Sequence, residues 1–370
     1  MSVRRGDIPF PKRRELVSGD RWLAKLWLEL AYFSGRAWWG EKEHGGAGAI
    51  LRFQCVRPRR RTSFQPLKAG EITPRFLDRA ICALKRWKYD IVGMDEVCRR
   101  AVVMPEPRRF VCLSFDGASK DVITFAYPVL ARHRVPFTIY VPTAFPDGVG
   151  EAWWLGLEAV IAKENRLSLV AEGQERHFTI VTTAAKNELY DFLSEWMRSL
   201  PQAELSVAIN DLCRRYSVDL ARLTCESSMD WADLATLAAD PNVTFGSATV
   251  DYAVLSNLKD ASALREMTMG RAVLEAALRR EVRHFAYPFG DRTAWRRAHA
   301  VMAEQAGFLS AVSSIPGVVK AEGRTSLHAL PRINWDGRER SLRVMRVLLS
   351  GTTIAPVQRM PSRPGARIIL

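Results

Sequence analysis

Three short segments of this 370-residue chain put reactive side chains where a fold could use them: Ser114-Phe-Asp-Gly-Ala-Ser-Lys-Asp121, Gly246-Ser-Ala-Thr-Val-Asp-Tyr252 and Phe285-Ala-Tyr-Pro-Phe-Gly290. Each follows a short apolar run, and in barrel-like α/β folds the reacting groups lie just past the C-terminal ends of strands. Asp116 comes directly after such a run, where a carboxylate can act as a general base. An aspartate there can equally cap the helix expected from about Asp121, and the sequence leaves both readings open. Asp251 is a second carboxylate, and with Asp116 it would offer an oxygen-rich but sparse site for a hard cation. Trp154, Tyr287 and Phe289 have aromatic faces that suit the apolar faces of pyranose rings and suit a core equally well.

Other reactive residue types form no pattern along the chain. Cys55, Cys82, Cys98, Cys112, Cys213 and Cys225 make no CxxC and no Cys/His cluster, which argues against a zinc ribbon or a disulfide framework. His44, His133, His177, His284 and His299 fall on expected surfaces, loops or helices. His328, just before Leu330-Pro-Arg332, is set apart from these, and a surface or packing role is weighed for it against a role as an acid.

The elements that must position these residues alternate. From Phe110 onward short apolar runs and amphipathic stretches succeed one another as in a parallel sheet wrapped by helices. Strands are expected at 109–115, 136–142, 243–246, 283–287 and 308–312, and helices at 121–133, 151–163, 260–279, 292–306 and 341–349. A hairpin at 167–170 and 177–181, then helices at 184–200, 203–216 and 230–239, interrupt that rhythm as a helical insertion of about 184–240. The earlier part is less regular, with helices near 21–33 and 73–87 and strands near 49–53 and 90–92.

Charge divides the chain. Residues 1–110 carry 24 Lys and Arg against 12 Asp and Glu, a net +12, whereas the remaining 260 residues are close to neutral at 30 against 28. Arg57, Arg59, Arg60 and Arg61, with Arg4, Arg5, Lys12, Arg13 and Arg14, could attract an anionic membrane or an acidic glycan. No nucleic-acid-binding motif accompanies them, so nucleic acid is not expected as a partner. No apolar run is long enough to span a bilayer and no signal peptide is evident, which leads to the expectation of a cytoplasmic protein.

In order, the strand ending in Ser-Phe-Asp-Gly117, Pro136-Phe-Thr-Ile-Tyr-Val141, Phe245-Gly-Ser-Ala-Thr-Val-Asp-Tyr252, His284-Phe-Ala-Tyr-Pro-Phe-Gly-Asp291 and Leu330-Pro-Arg-Ile333 resemble the polysaccharide deacetylase family. The likeness, to carbohydrate esterase family four and in particular to nodulation-type chitooligosaccharide deacetylases, runs from about Ala49 to Gly351. It includes Glu71-Ile-Thr-Pro74, Trp153-Trp-Leu155 and Val347-Leu-Leu-Ser-Gly351. It implies a distorted (β/α) barrel over 49–351, a basic N-terminal extension over 1–48 and a tail over 352–370. It also implies metal-assisted hydrolysis of an acetyl group on a glycan, with a divalent ion such as zinc.

The departures from the family's pattern bear on function. Where the family has Phe-Asp-Asp-Gly, with a base and then a metal ligand, this chain has Phe115-Asp116-Gly117-Ala118. Where the family has two histidines four residues apart, it has Ala248 and Tyr252, and Gln54 replaces a further histidine. A catalytic ion needs about three protein ligands to fix it. Hence the expectation of no bound metal cofactor, with Asp116 a vestigial base and Trp154, Tyr287, Phe289 and Arg332 as substrate-binding residues. The resulting protein is a glycan-binding or regulatory pseudoenzyme. An active deacetylase with an altered metal site, and a protein that docks on a membrane or partner through its basic front, are the alternatives.

Overall fold

The computed structural model describes residues 28–34, 44–104, 106–171 and 174–351. Most of the basic extension and the whole 352–370 tail therefore lie outside the described residues. Residues 28–33 are helical, within the helix expected near the N-terminus.

Strand β1, Gly48–Phe53, starts the barrel, and short strands β2, Cys55–Val56, and β3, Glu71–Ile72, pair beside its C-terminal end. Helix α1, Pro74–Arg86, begins where the Thr73 side chain accepts from the Phe76 amide and Pro74 supplies a preset φ. Its Phe76, Leu77, Ala80, Ile81 and Leu84 recur at helical spacing and are buried. Strand β4, Asp90–Ile91, and helix α2, Met94–Val102, follow; α2 was not expected, because its apolar face is carried by only Met94, Val97, Cys98 and Ala101 among charged residues.

Strand β5, Phe110–Asp116, is buried throughout and ends on Asp116 itself. The helix expected from Asp121 opens as a wide π turn over Val122–Ala126 before α3, Tyr127–His133, begins. Pro128, which has no N–H to return to the preceding turn, sits at that junction. Strand β6, Phe137–Val141, and helix α4, Trp153–Lys163, come next. The hairpin β7, Arg166–Ala171, with β8, Gln174–Thr179, is antiparallel as expected.

Four helices then fill the insertion: α5, Thr183–Ser199; α6, Gln202–Arg215; α7, Leu220–Ser227; and α8, Trp231–Ala238. Helix α7, capped by Asp219, was missed because eight residues with two buried side chains give almost no periodic signal. The barrel resumes with β9, Val243–Ser247; α9, Asp260–Leu278; β10, His284–Ala286; α10, Arg297–Gln305; β11, Ser310–Val312; β12, Ile333–Asn334; and α11, Leu342–Leu349. Helix α10 starts five residues later than its pattern suggested, because Asp291 turns the chain by accepting from the Thr293 and Ala294 amides.

All the main-sheet strands run parallel, in the order β11-β10-β9-β6-β5-β1-β12, with β4 against the first half of β5. Between β11 and the approach to β12 the sheet closes through a parallel bridge of Val312 with Leu330, whose amide donates to the Ala311 carbonyl at 2.9 Å. The result is a distorted (β/α) barrel. Side-chain alternation along each strand sends Leu51, Leu113, Phe115, Ile139, Phe245 and Phe285 outward to the helices. Ile50, Cys112, Tyr140, Ala248, Ala286, Val312 and Leu330 belong to a separate interior core. Gly246 is required there, since a Cβ on it would stand 2.5 Å from the Tyr140 ring. The insertion has a third core, built from Leu157, Ile161, Phe178, Leu189, Leu193, Ile209 and Leu212, and it lies over the barrel mouth through Trp154 and Phe289.

Candidate functional site

The barrel register decides which side chains meet. In the parallel ladders Arg52 of β1 sits opposite Ser114 of β5, and Asp116 sits opposite Tyr140 of β6. Arg52 and Asp116, at the C-terminal ends of neighbouring strands, thus both turn inward at the mouth. From beyond the closing seam Arg332 reaches the same carboxylate.

Asp116 is held from two sides. Arg332 donates to Oδ1 at 2.7 Å and to Oδ2 at 2.8 Å, a bidentate pair, and Arg52 Nε donates to Oδ2 at 2.5 Å. All three are buried, at 0% exposure for Arg332, 8% for Arg52 and 7% for Asp116. Arg332 is further fixed by its Nε on the Ser313 carbonyl at 2.7 Å and by the Tyr140 ring below it. Burial alone would raise the Asp116 carboxyl; the charges and hydrogen bonds of Arg332 and Arg52 outweigh it and hold the group below its ordinary value. Asp116 is therefore no helix cap but the centre of a buried ion triad. A carboxylate so stabilised in its ionised form is a poor proton acceptor.

Above the triad lies a cavity of about 270 Å³ between the barrel mouth and the insertion. Its floor includes Arg52, Asp116, Gly117 and Tyr252, and its walls include Phe145, Trp153, Trp154, Tyr190 and Phe289. The aromatic groups support one another: Trp154 stacks on Phe145 at 6.0 Å, and Phe289 lies 5.2 Å from Tyr252. Arg198 of α5 covers Phe289 with its guanidinium and is tied to Asp291. Ala118, Thr249, Tyr252 and Phe289 all have positive φ, between 52° and 69°, a backbone region that bulky residues rarely adopt. Such strain gathers where surrounding structure forces a particular loop shape. Burial raises the Tyr252 phenol above its ordinary value, so it stays protonated.

The structure sorts the expected site residues. Trp154 and Phe289 line the cavity with Asp116. Tyr287 does not: it is fully buried, stacked on Trp295 at 4.3 Å with its hydroxyl on the His328 carbonyl, and is core. Arg332 likewise lies behind Asp116 rather than in the cavity, so direct contact with a substrate is ruled out by its burial. Asp251 is exposed and absent from the cavity lining, which removes the two-carboxylate cation site. His328 bonds to the Phe308 carbonyl at 2.8 Å, away from the triad. Arg52, the residue the sequence reading missed, carries the one available signal of a charge inside an otherwise apolar strand, Gly48–Phe53.

At the three positions where the family has metal ligands, the residues do not fit an ion. Gly117 and Tyr252 line the cavity, and Ala248 is sealed beneath it. No side chain there is a carboxylate or imidazole, and the guanidinium of Arg52 adds a fixed cation where a second one would be repelled. Elsewhere the fold brings together what the sequence keeps apart: Asp78, Cys82 and His133 place ligand atoms within 4.8 Å of one another. There Arg132 donates to the Asp78 oxygen that lies 2.7 Å from His133 Nε2, and that guanidinium competes with any ion.

The basic front is partly consumed within the fold. Arg57 pairs with Asp121 at 2.5 Å, and Arg60 pairs with Glu71 at 2.5 Å and Glu158 at 2.7 Å. Among the described residues no helix is long and apolar enough to cross a membrane.

A parallel barrel with an acid at its mouth, roofed by an insertion, is the architecture in which this candidate site is set. The polysaccharide deacetylase family model matches residues 202–309. Fold and family model agree that the chain is polysaccharide-deacetylase-like, as the sequence resemblance implied. Similar solved structures are a Streptococcus pyogenes deacetylase, PplD, in complex with acetate (14% identity, TM-score 0.53, covering 81% of this chain and 97% of that one) and IcaB from Ammonifex degensii (15%, 0.50, 82% and 98%). BC0361, a polysaccharide deacetylase from Bacillus cereus, is similar at 11% identity and a TM-score of 0.51, with 81% and 68% covered. At such identities the likeness is one of fold. No curated protein matches the sequence.

Proposed function

We propose that this chain is a glycan-binding pseudoenzyme of the polysaccharide deacetylase type, which retains the substrate cleft and has lost the hydrolytic centre. The observation that carries this reading is the triad: Asp116, the family's base by position, is locked between Arg52 and Arg332 under an aromatic-walled cavity. Hydrolysis of an acetyl group needs an activated water and a stabiliser for the developing oxyanion. Here the family's ligand positions supply no metal-binding atoms, and the remaining carboxylate is too well stabilised to take a proton. Binding needs only the walls. Trp154 and Phe289 offer faces for sugar rings, and their packing on Phe145 and Tyr252 keeps them ordered before a ligand arrives.

The test compares binding with turnover. Titration of chitooligosaccharides, followed by Trp153 and Trp154 fluorescence, should give saturable binding, while acetate release from the same sugars and from acetylated xylan stays at background. Acetate release that disappears in Asp116→Asn would establish an active hydrolase instead.

A further inference from the structure

Arg52 is a buried cation that faces the cavity. Its Nε is spent on Asp116, and the further partner of its guanidinium is the protonated Tyr252 phenol, a group that carries no charge. Two guanidinium groups against one carboxylate leave the floor of the cavity with a surplus of one positive charge. The other lining cations are matched where they stand: Arg57 by Asp121 and Glu71, Arg198 by Asp291. The neighbouring entrance network of Arg57, Arg60, Glu71, Glu158 and Asp121 has its own surplus carboxylate, and of its acids only Glu71, paired with Arg60, lines this cavity.

There is also room beside the surplus charge. Gly117, next to Asp116, has no atom within 4 Å of where a Cβ would stand, so the floor is open where the family pattern has a side chain. A group entering there meets the Arg52 guanidinium and the Tyr252 phenol, with Trp154 and Phe289 in the wall; the lining carboxylates, Asp116 and Glu71, are each already paired with arginine.

Resting on the glycan-binding reading, we infer that the cavity selects a carboxylated sugar, a uronate unit whose carboxylate docks on the Arg52 guanidinium while its pyranose ring lies on the aromatic wall. A carboxylate matches the planar fork of an arginine, and its single charge matches a surplus of one, which a doubly charged phosphate would exceed. A neutral N-acetylated sugar would leave the surplus charge of the triad uncompensated.

The probes are trigalacturonate and chitotriose, titrated calorimetrically into the whole chain. Trigalacturonate should bind at least ten-fold tighter, its affinity should fall as salt is raised, and free glucuronate should displace it where glucose does not. Arg52→Met should abolish the preference for the acid, and Arg52→Lys should keep part of it. The glucuronate competition uses the unaltered protein, so it stands even where a variant fails to fold. Equal binding of both trisaccharides, sensitive to Trp154→Ala, would overturn the inference and leave the glycan-binding reading intact. Binding of neither would overturn both.

Discussion

Arg52 and Asp116 lie at the ends of adjacent parallel strands, 64 residues apart in sequence, with Arg52 Nε 2.5 Å from Asp116 Oδ2. Their contact puts a fixed guanidinium beside the residue that the family pattern marks as the base. A permanent side-chain cation can balance the aspartate's charge without acidifying a water molecule, which is the task a catalytic metal performs.

The triad is expected to matter for stability more than for any chemistry. Arg332→Met removes the bidentate partner and leaves Asp116 buried with Arg52 alone, which should cost about 3–5 kcal/mol by the usual behaviour of broken buried pairs. Arg52→Met should cost less, because Arg332 still satisfies both carboxylate oxygens. Urea unfolding of the two variants ranks them, and equal small losses would show that the triad contributes little.

Acid should act through the same group. Asp116 has a folded pKa below its unfolded value, so its contribution is fully present above the unfolded value of about 3.9 and is lost as pH falls through the lower folded one. Between pH 4 and 2 the wild type should therefore lose stability more steeply than Asp116→Asn. Parallel slopes in denaturant titrations at several pH values would contradict the assignment.

The mouth should take no divalent ion. In a Cys82→Ser variant, which removes the Asp78, Cys82, His133 set, calorimetry should detect no zinc binding. Zinc bound by that variant and released by Asp116→Asn would place a metal beside the triad and refute the reading.

Gly246→Ala tests the packing beneath the site. The added Cβ would stand 2.5 Å from the Tyr140 ring and 2.8 Å from the His284 carbonyl, so something must shift. Overpacking of this kind typically costs about 1–3 kcal/mol. Because Tyr140 underlies Arg332, the change should also weaken binding in the cavity, measurable in the same fluorescence titration.

Trp154→Ala should reduce sugar affinity by roughly three- to ten-fold, the size of one lost aromatic contact. Tyr287→Phe, which removes a core hydroxyl from the His328 carbonyl, should leave affinity unchanged and lower stability by about 1 kcal/mol.

What the sequence by itself determined was the alternation of apolar runs and amphipathic stretches, and with it a parallel sheet wrapped by helices, because burial patterns with periods of two and near four are local properties of the chain; its closure into a distorted barrel was implied by the family resemblance. It also located Asp116 at a strand end and marked Gly117, Ala248 and Tyr252 as departures from the family's ligand pattern. Short elements such as Leu220–Ser227 escaped it, since few residues there are buried. Only the tertiary structure decided that Arg52 meets Asp116, that Tyr287 and Arg332 are sealed in the interior while Trp154 and Phe289 face the cavity, and that half of the basic cluster at 57–61 is spent on internal ion pairs. Those facts depend on parallel register and on the closing seam between β11 and β12, which bring Arg332 onto Asp116 across 216 positions of sequence. Nothing in the local pattern of either segment encodes which partner the other will be.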